Sequence, residues 1–298
     1  MSKHYILITG GSGFLGQYLA SYIKNSRNIV CLYNNSSFRQ RFVINEKINL
    51  VEFYRLEKLF DKYSFSEIIH CAAITNPDIC LKNPELSYKI NVVVTEKLSK
   101  LSYKYSIPFV FVSTDSVFDG NHPPYSEISE AHPINLYGKQ KLEAEKRVLN
   151  ANPDSIVCRV PRMFGFGLKN TFFHNILNNL SSGRKIKLFS DMFRTPISGL
   201  VAARGIKWAM EKNLYGIIHL GGKERLSWFD FGKIVADIYG FDDSLLIKTS
   251  MHNFNYSDKR PVNVSLNSNK AFSLGYNCPS IVDQINEIVE TEGKNIYN

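Results

Sequence analysis

The sequence predicts an α/β fold, with a doubly wound parallel sheet in the first half of the chain and a smaller C-terminal domain. Short apolar runs alternate with longer amphipathic stretches, as strands and helices do in such folds. The apolar runs show no polar alternation, which indicates strands covered by helices on both faces. A glycine-rich turn joins the first predicted strand to the first predicted helix.

The elements follow one another in βαβα order. We predict strands at residues 5–9, 29–33, 67–71, 109–113 and 155–159. Helices are predicted between them, at residues 14–24, 56–63, 85–105 and 136–149. Parallel strands need long crossover connections, so this order favours a sheet with helices on both sides.

The pattern becomes less regular after Arg159. Helices are predicted at residues 172–180, 200–210 and 228–239, and one more strand at residues 216–220. We therefore expect a larger domain over residues 1–162, completed by the strand near residues 216–220. Residues 163–298 would form most of the smaller domain.

The composition is that of an ordinary globular protein, with 44% hydrophobic and 21% charged residues among 298. No apolar stretch approaches the ~20 residues of a membrane-spanning helix. The N-terminal apolar run is shorter than the ~7–15 residues of a secretory signal. We therefore expect a cytoplasmic protein with no membrane partner.

The cysteines and histidines predict neither a disulfide framework nor a metal site. The seven histidines are scattered and show no H-E-x-x-H motif, so we predict no protein-held metal. Five cysteines, an odd number without a C-x-x-C pair, predict reduced core thiols. They are Cys31, Cys71, Cys80, Cys158 and Cys278.

The charge balance points to an anionic partner. The chain has 36 Lys and Arg against 27 Asp and Glu, a formal net charge of +9. A basic surface attracts nucleic acids, membranes or small anions. Because no dense Lys/Arg cluster marks a nucleic-acid patch, we expect a small anionic molecule and no nucleic acid.

The turn after the first strand has glycines at positions 10, 13 and 16, and also fits G-x-G-x-x-G at 11, 13 and 16. Glycines let the backbone approach a pyrophosphate closely, and the helix N-terminus supplies N–H groups. The turn lies between an apolar strand and a helix, as this motif requires. The sequence therefore predicts a Rossmann-type dinucleotide site, with cofactor contacts from Gly10, Gly13, Phe14, Leu15 and Gly16.

The region after the second strand favours NADP(H) over NAD(H). NAD binders usually place an acidic residue there, on the ribose 2′-hydroxyl, whereas the first acidic residue of this chain is Glu46. Arg39, Arg41 and the hydroxyls of Ser36 and Ser37 would favour a 2′-phosphate. The alternative is that both arginines are solvated loop charges.

A hydroxyl, a phenol and an amine form the candidate catalytic group. Tyr137 and Lys141 are four residues apart, on one face of a predicted helix. Thr114 follows a buried strand, at the sheet edge where such folds bind ligands. A second Tyr-x-x-x-Lys match, Tyr54 and Lys58, has no comparable residue before it and is interpreted as a surface or packing pair.

These residue types suit proton transfer beside a hydride-carrying cofactor. A phenol with a pKa of ~10 is a poor acid–base catalyst near neutrality, and a nearby ammonium favours its phenolate form. A hydroxyl donor beside the phenol would hold a substrate oxygen. The cofactor would carry the hydride chemistry, while the protein positions the reactants.

Over nearly the whole chain, these motifs together resemble the extended short-chain dehydrogenase/reductase superfamily. The likeness rests on the glycine loop, on the Cys-Ala-Ala and Ser-Thr-Asp segments at residues 71–73 and 113–115, and on the Tyr137/Lys141 pair. Within the superfamily the sequence is most similar to the dTDP-4-dehydrorhamnose reductase group. That similarity rests on residues 113–120 (STDSVFDG), 135–141 (NLYGKQK), 194–196 (RTP) and 260–261 (RP).

The resemblance implies NADPH-dependent reduction of a nucleotide-activated 4-keto-6-deoxy sugar. Residues 1–162 would bind NADP(H), and residues 163–298 mainly the substrate. Tyr137 would donate the proton to the sugar carbonyl, and Lys141 would bind the nicotinamide ribose. Thr114 would hydrogen-bond the carbonyl, with Ser113 as a less favoured substitute.

The resemblance also implies contacts farther from the reacting atoms. Further cofactor contacts are expected from Ala72, Ala73, Ile74 and Val160. The nucleotide diphosphate would meet Arg260 and Arg194. Arginine suits phosphate through its planar fork of donors, although a structural ion pair is the alternative for each.

The sequence departs from the reductase pattern at two positions. Ser116 stands where the reductases usually have Tyr, which leaves the identity of the sugar open. Asn49 stands near the place where many relatives have an adenine-binding Asp. Nucleotide-sugar 4,6-dehydratases resemble Thr-Asp-Glu at the strand end. Here Asp115 lacks the following Glu and is interpreted as a brace for the turn.

Two other functions stay open. An NAD-dependent nucleotide-sugar epimerase would use the same fold but must retain its NAD. A non-catalytic NADP-binding regulatory subunit would keep the nucleotide site and bind another protein, as the resemblance to the regulatory subunit of methionine adenosyltransferase implies. Relatives are often dimers, so a homodimer is among the expected assemblies.

Overall fold

The computed structural model describes residues 4–34, 41–166 and 172–292. In chain order, its strands are β1 (His4–Thr9), β2 (Asn28–Tyr33), β3 (Ile44–Lys47), β4 (Ser64–His70), β5 (Phe109–Thr114), β6 (Ile156–Val160), β7 (Met163–Phe164), β8 (Ile186–Phe189), β9 (Phe193–Arg194), β10 (Ile197–Ser198), β11 (Gly216–His219), β12 (Leu226–Ser227) and β13 (Leu246–Thr249).

Helices connect these strands. The α-helices are α1 (Phe14–Ile23), α2 (Phe53–Lys62), α3 (Pro77–Lys82), α4 (Pro84–Tyr88), α5 (Thr95–Lys104), α6 (Leu136–Ala151), α7 (Phe172–Ser181), α8 (Gly199–Glu211), α9 (Trp228–Tyr239), α10 (Asn269–Ser273) and α11 (Ile281–Glu292). A π-helical turn, Lys89–Val94, joins α4 to α5. Short 3₁₀ turns occur at Asp115–Val117, Asp243–Leu245 and Met251–Asn253.

Seven parallel strands form the central sheet, in the order β11-β6-β5-β4-β1-β2-β3. The chain runs outward from β1 through β2 to β3, and then from β4 outward through β5 and β6. The direction reverses between β1 and β4, which opens a crevice at the carboxyl ends of these two strands. The predicted doubly wound parallel sheet is thus confirmed.

Apolar side chains cover both faces of the sheet. On one face α1 and α8 contribute Leu19 and Ile206, both fully buried. On the other face α2, α5 and α6 contribute Leu56, Leu98 and Val148, which are also fully buried. Removing apolar surface from water, at ~25 cal/mol per Å², is the main contribution that holds these layers together.

The residues after β6 form a second core and also return to the sheet. Helices α7, α9 and α11 enclose an aromatic cluster in which the Phe231 ring centre lies 5.0 Å from that of Phe164 and 6.3 Å from that of Phe173. Strand β11 then pairs with β6 at the sheet edge. The domain boundary at residue 162 stays a prediction. No helix in the described ranges is long and apolar enough to cross a bilayer.

Several elements differ from the expectations, among them the following three. Strand β3 was not expected, because an edge strand reading Ile-Asn-Glu-Lys contains no apolar run. Helix α11 lies in the C-terminal stretch, for which no helix is predicted. The single helix expected over residues 85–105 is divided into α4, the π-helical turn and α5. A single π-helical turn is too short a segment for the apolar pattern to reveal it.

Two histidines are buried beside the sheet in their neutral form. His70, at the end of β4, lies 2.6 Å from Thr9 Oγ1 and 2.9 Å from Thr95 Oγ1. Burial lowers the pKa of His70 to about 3, and it lowers the pKa of His219 in β11 to about 3 as well. The unfolded chain takes up these protons near pH ~6.5. The stability that each neutral histidine contributes is therefore present above that pH and lost as the pH falls toward 3.

We expect the substitution His70→Gln to reduce the acid sensitivity of the fold. Between pH 7 and 5 the wild type should lose roughly 2 kcal/mol of unfolding free energy through His70, because only the unfolded state gains the proton. Urea unfolding at both pH values measures this loss. The exposed His132, replaced by Gln, is the matched control and should leave the pH dependence unchanged. Equal acid sensitivity in His70→Gln and the wild type would contradict a buried neutral His70.

Candidate active site

The glycine-rich turn folds tightly against the segment after β4. Gly10 has a φ of +67°, and a Cβ at that position would lie 2.9 Å from the backbone of Ala72. Gly13 N donates to Gly10 O at 2.8 Å, and a Cβ on Gly16 would collide with the same oxygen. The first turn of α1 contains no acidic residue. The turn therefore leaves an uncrowded, electropositive helix N-terminus that suits an anion.

A cavity of about 310 Å³ lies in front of this turn, at the carboxyl ends of β1, β2 and β4. Five of the predicted cofactor residues line it: Gly10, Gly13, Ala72, Ala73 and Ile74. Other lining residues come from the ends of β2 and β3, namely Tyr33, Asn34 and Asn49. None of the described lining residues is acidic.

Asn91 fixes one wall of the cavity. From the π-helical turn, its side chain accepts a hydrogen bond from Ile74 N at 2.8 Å and donates to Ile74 O at 3.0 Å. It also donates to Gln140 Oε1 of α6 at 2.9 Å. The sequence does not single out Asn91, because only the π-helical turn brings its side chain to the cavity wall. Such turns are frequent at functional sites.

Thr114 and Tyr137 meet at the carboxyl end of β5. The Thr114 hydroxyl accepts from Ser116 N at 3.2 Å and donates to Asp115 Oδ1 at 3.2 Å. Tyr137 lies in the first turn of α6, which Asn135 caps by accepting from Gly138 N at 2.8 Å. Thr114 and Tyr137 are each 8% exposed. Their hydroxyl groups therefore lie together in a largely water-excluded place.

Lys141 lies one helical turn beyond Tyr137 and is 2% exposed. Its Nζ donates to Val112 O at 2.7 Å and lies 3.9 Å from the centre of the Phe111 ring. Burial lowers the pKa of this amine to about 7, although the Glu145 carboxylate acts in the opposite direction. The amine is therefore close to half protonated at neutral pH.

Glu145 is the anion of a buried network beneath the candidate catalytic residues. Its carboxylate pairs with Arg159 of β6 at 2.7 Å and accepts the Ser113 hydroxyl at 2.5 Å. Arg159 also lies 3.4 Å from His219 Nε2 of β11. The Ser113 hydroxyl is directed to Glu145 and the residue is 2% exposed, and its contact with the substrate stays a prediction.

Arg194 is part of the fold rather than of an open surface. Its Nε lies 3.4 Å from Asp115 Oδ2, and the side chain is 8% exposed. Its terminal nitrogens donate to the backbone oxygens of Phe193, Pro261 and Val262. Arg194 thus forms the structural ion pair that was the alternative, and its contact with a diphosphate stays a prediction.

Arg260 belongs to a segment that ties α3 to α6. Its guanidinium pairs with Asp78 of α3 at 2.8 Å and lies 5.0 Å from the centre of the Tyr256 ring. Asp258 accepts from Leu136 N, at the start of α6, at 3.0 Å, and its own N–H donates to Asp78 at 3.0 Å. The C-terminal part of the chain therefore helps to hold the helix that carries Tyr137.

The family model described as the RmlD substrate binding domain matches residues 4–292. The chain belongs to this family. The match spans the glycine turn, the Thr114/Tyr137 pair and the C-terminal segment. The resemblance to extended short-chain reductases that the motifs indicated is confirmed.

Proteins similar to this RmlD-family chain include a subunit of another enzyme as well as reductases. The β subunit of methionine adenosyltransferase 2 from Xenopus laevis is 34% identical over 251 residues, covering 80% of this chain and 73% of that protein. The probable low-salt glycan biosynthesis reductase of Haloferax volcanii is 27% identical, covering 94% and 96%. A solved dTDP-4-dehydrorhamnose reductase from Clostridium acetobutylicum is 27% identical, with a TM-score of 0.84 over 96% of this chain and 99% of that one.

The remaining predicted cofactor residues of this family member lie in different surroundings. Phe14 is half-buried, whereas Leu15 is 6% exposed within the core, so only its backbone faces the turn. Val160 is 5% exposed and lies beside Thr114 in the sheet. Arg39 lies outside the described residues.

The second Tyr-x-x-x-Lys match lies on the surface. Tyr54 of α2 is 61% exposed, and Lys58 Nζ lies 5.7 Å from the centre of its ring. This pair is therefore the surface pair expected from the sequence, and it offers matched control positions for Tyr137 and Lys141.

Burial dominates the electrostatics of Tyr137. It raises the pKa of the phenol well above its ordinary value; a hydrogen bond with Thr114 opposes this shift, and the Asp115 carboxylate adds to it. The shift is thus opposite in direction to the lowering expected from a nearby ammonium. A phenol in this state stays protonated at neutral pH, so it suits proton donation rather than proton removal.

We expect the substitution Lys141→Met to flatten the alkaline pH dependence of stability. The pKa of the amine is about 7 in the folded state and 10.5 ordinarily. The unfolded state therefore binds more protons between these pH values, and the wild type gains stability as the pH rises. Urea unfolding at pH 7.5 and 9.5 measures this gain, with the exposed Lys58→Met as control. Equal slopes in Lys141→Met and the wild type would show that the folded protein keeps Lys141 protonated.

Proposed function

We propose that the protein reduces the 4-keto group of a nucleotide-activated 6-deoxy sugar with NADPH. The observation that carries this proposal is the convergence of Thr114, Tyr137 and Lys141 beside the glycine-lined cavity. The likeness to the Clostridium acetobutylicum reductase over nearly its full length supports the substrate class. The presence of a reductase among the relatives, that of Haloferax volcanii, supports the reaction type.

The cavity fits a dinucleotide. Any Cβ at Gly10 would fill the space between the turn and Ala72, and α1 presents free N–H groups at its N-terminus. Gly10, Gly13 and Ala73 would hold the cofactor, which supplies the hydride when bound. Lys141, reaching the same edge of the sheet from α6, would bind the nicotinamide ribose hydroxyls.

The residues of the chain supply the proton. Reduction converts the ketone to a secondary alcohol, and its oxygen takes the proton from Tyr137 Oη. The high pKa of the buried phenol keeps that proton in place at neutral pH. The Thr114 hydroxyl donates a hydrogen bond to the same oxygen and stabilises the negative charge that develops on it. Exclusion of water strengthens both interactions.

The NADPH preference rests on the lack of an acidic residue among the described residues at the end of β2. Tyr33 and Asn34 line the cavity there, and neither carries a charge that would repel a 2′-phosphate. The carboxylate of Glu46, in β3, is engaged by Lys62 and Tyr63, each at 2.6 Å. Positive charge follows β2 in the sequence, at Arg39 and at Arg41.

A regulatory role is the second candidate, because the β subunits of methionine adenosyltransferase are among the relatives. Such a role requires a protein partner and no turnover, whereas the catalytic trio of this chain is complete and buried. For the enzyme we further propose the cytoplasm as the site of action, supported by five free thiols, and a homodimer as the assembly.

The substitution Tyr137→Phe tests the proton donor. We expect kcat with NADPH and a dTDP-4-keto-6-deoxyhexose to fall by about 10²–10⁴, the usual contribution of a general acid. NADPH affinity should stay within about twofold, because the phenyl ring keeps its packing. Nicotinamide absorbance reports turnover, and fluorescence titration reports binding. Tyr54→Phe, from the exposed surface pair, is the matched control.

Full activity in Tyr137→Phe would contradict the assignment. NADPH binding without oxidation by the wild type, together with a stoichiometric protein partner, would favour the regulatory role. Tightly retained NAD without net oxidation would favour an epimerase.

The substitution Asn34→Asp tests the cofactor preference. A carboxylate at the end of β2 should repel the 2′-phosphate and accept a hydrogen bond from a 2′-hydroxyl. We expect the ratio of kcat/KM for NADPH to that for NADH to fall by about tenfold or more, since one such charge contact contributes ~1.4 kcal/mol or more. Asn28→Asp places the same charge at the opposite end of β2 and should leave the ratio unchanged. An unchanged ratio in Asn34→Asp would contradict the proposed NADPH preference.

A further inference from the structure

Three arginines cluster around the candidate substrate cleft, and they differ in what they bind. Arg194 is paired with Asp115, and Arg260 is paired with Asp78. Arg162 is exposed, and among the described residues it makes no hydrogen bond or ion pair. The cluster thus has three positive and two negative charges, and the excess charge lies on Arg162.

Arg162 lies just beyond the carboxyl end of β6, the strand that pairs with the one ending in Thr114. It follows β6 by two residues, and the last residue of β6, Val160, pairs with Thr114 in the sheet. The carboxylate of Asp115 influences the pKa of both Tyr137 and Arg162. One buried carboxylate therefore lies near both the phenol and the guanidinium.

An aromatic platform holds the Arg162 side chain. Its guanidinium carbon lies 5.8 Å from the ring centres of Phe172 and of Trp228, which are 4.5 Å from each other. Stacking of this kind engages the flat face of the guanidinium and leaves the N–H donors in its plane free. The Arg162 side chain is exposed, but the surrounding protein removes part of its hydration and thereby lowers its pKa. Loss of hydration makes binding of an anion more favourable there.

An exposed guanidinium with free donors, beside a reaction site, suits a planar or tetrahedral oxyanion. We propose that Arg162 binds an anionic oxygen group of the substrate, either its diphosphate or a carboxylate on the sugar. The inference rests on the proposed function, because it assigns the ligand to the same cleft. Under this proposal Arg162 recognises the substrate through its charge. The sequence does not single out this residue.

The test compares Arg162→Gln with the wild type in the presence of NADP⁺, with isothermal titration calorimetry of dTDP, UDP-glucose and UDP-glucuronate. We expect Arg162→Gln to weaken binding by about tenfold or more for every ligand whose anion contacts Arg162. Arg162→Lys, which keeps the charge but not the fork, should recover part of the loss. Arg225→Gln is the matched control, since Arg225 is exposed and stacks on the Phe193 ring at 3.7 Å.

The pattern of losses identifies the anion. A similar loss for all three ligands supports the diphosphate, and a loss confined to UDP-glucuronate supports a sugar carboxylate. Unchanged affinities in Arg162→Gln, or an equal loss in Arg225→Gln, would overturn the proposal for Arg162 and leave the proposed function intact. A wild type that binds NADP⁺ but none of the three ligands would overturn both.

Discussion

The buried ion pair between Glu145 and Arg159 is the interaction on which the geometry of the site depends. It joins α6, which carries Tyr137 and Lys141, to β6, the neighbour of the edge strand β11. Burying two charges is costly unless their remaining hydrogen-bonding groups are satisfied. Ser113 and His219 meet that requirement, and they bring β5 and β11 into the same network. The register of the catalytic helix against three strands is therefore determined by charge as well as by apolar packing.

Burial sets the protonation state of the site more strongly than the charges within it. Burial raises the pKa of the Tyr137 phenol, which stays protonated, and lowers the pKa of the Lys141 amine to about 7, so that the amine is close to half protonated at neutral pH. A protonated phenol is suited to giving a proton to a substrate oxygen. The sequence motif alone suggests a phenolate stabilised by an ammonium, because a motif specifies residue types and not their solvent exposure.

Much of the fold and part of the site could be predicted from the sequence. The central strands, the glycine turn and the Tyr137/Lys141 pair follow from local periodicity and spacing, which the chain expresses directly. The contacts of Arg194 and Ser113 inside the fold could not be predicted, because a sequence does not show whether a polar group already has partners there. Asn91 and Arg162 depend on a π-helical turn and on an aromatic platform, and both arise only from tertiary structure.

The last third of the chain contributes to the central sheet and to the support of α6 as well as to the second core. Strand β11 completes the sheet, and Asp258 holds the first turn of α6. The two halves are therefore not interchangeable modules. A chimaera that borrowed residues 163–298 from a relative, in order to change the sugar it accepts, would also replace the edge of the sheet and the support of its own catalytic tyrosine. Changes of specificity in this architecture are better made by single side chains than by exchange of domains.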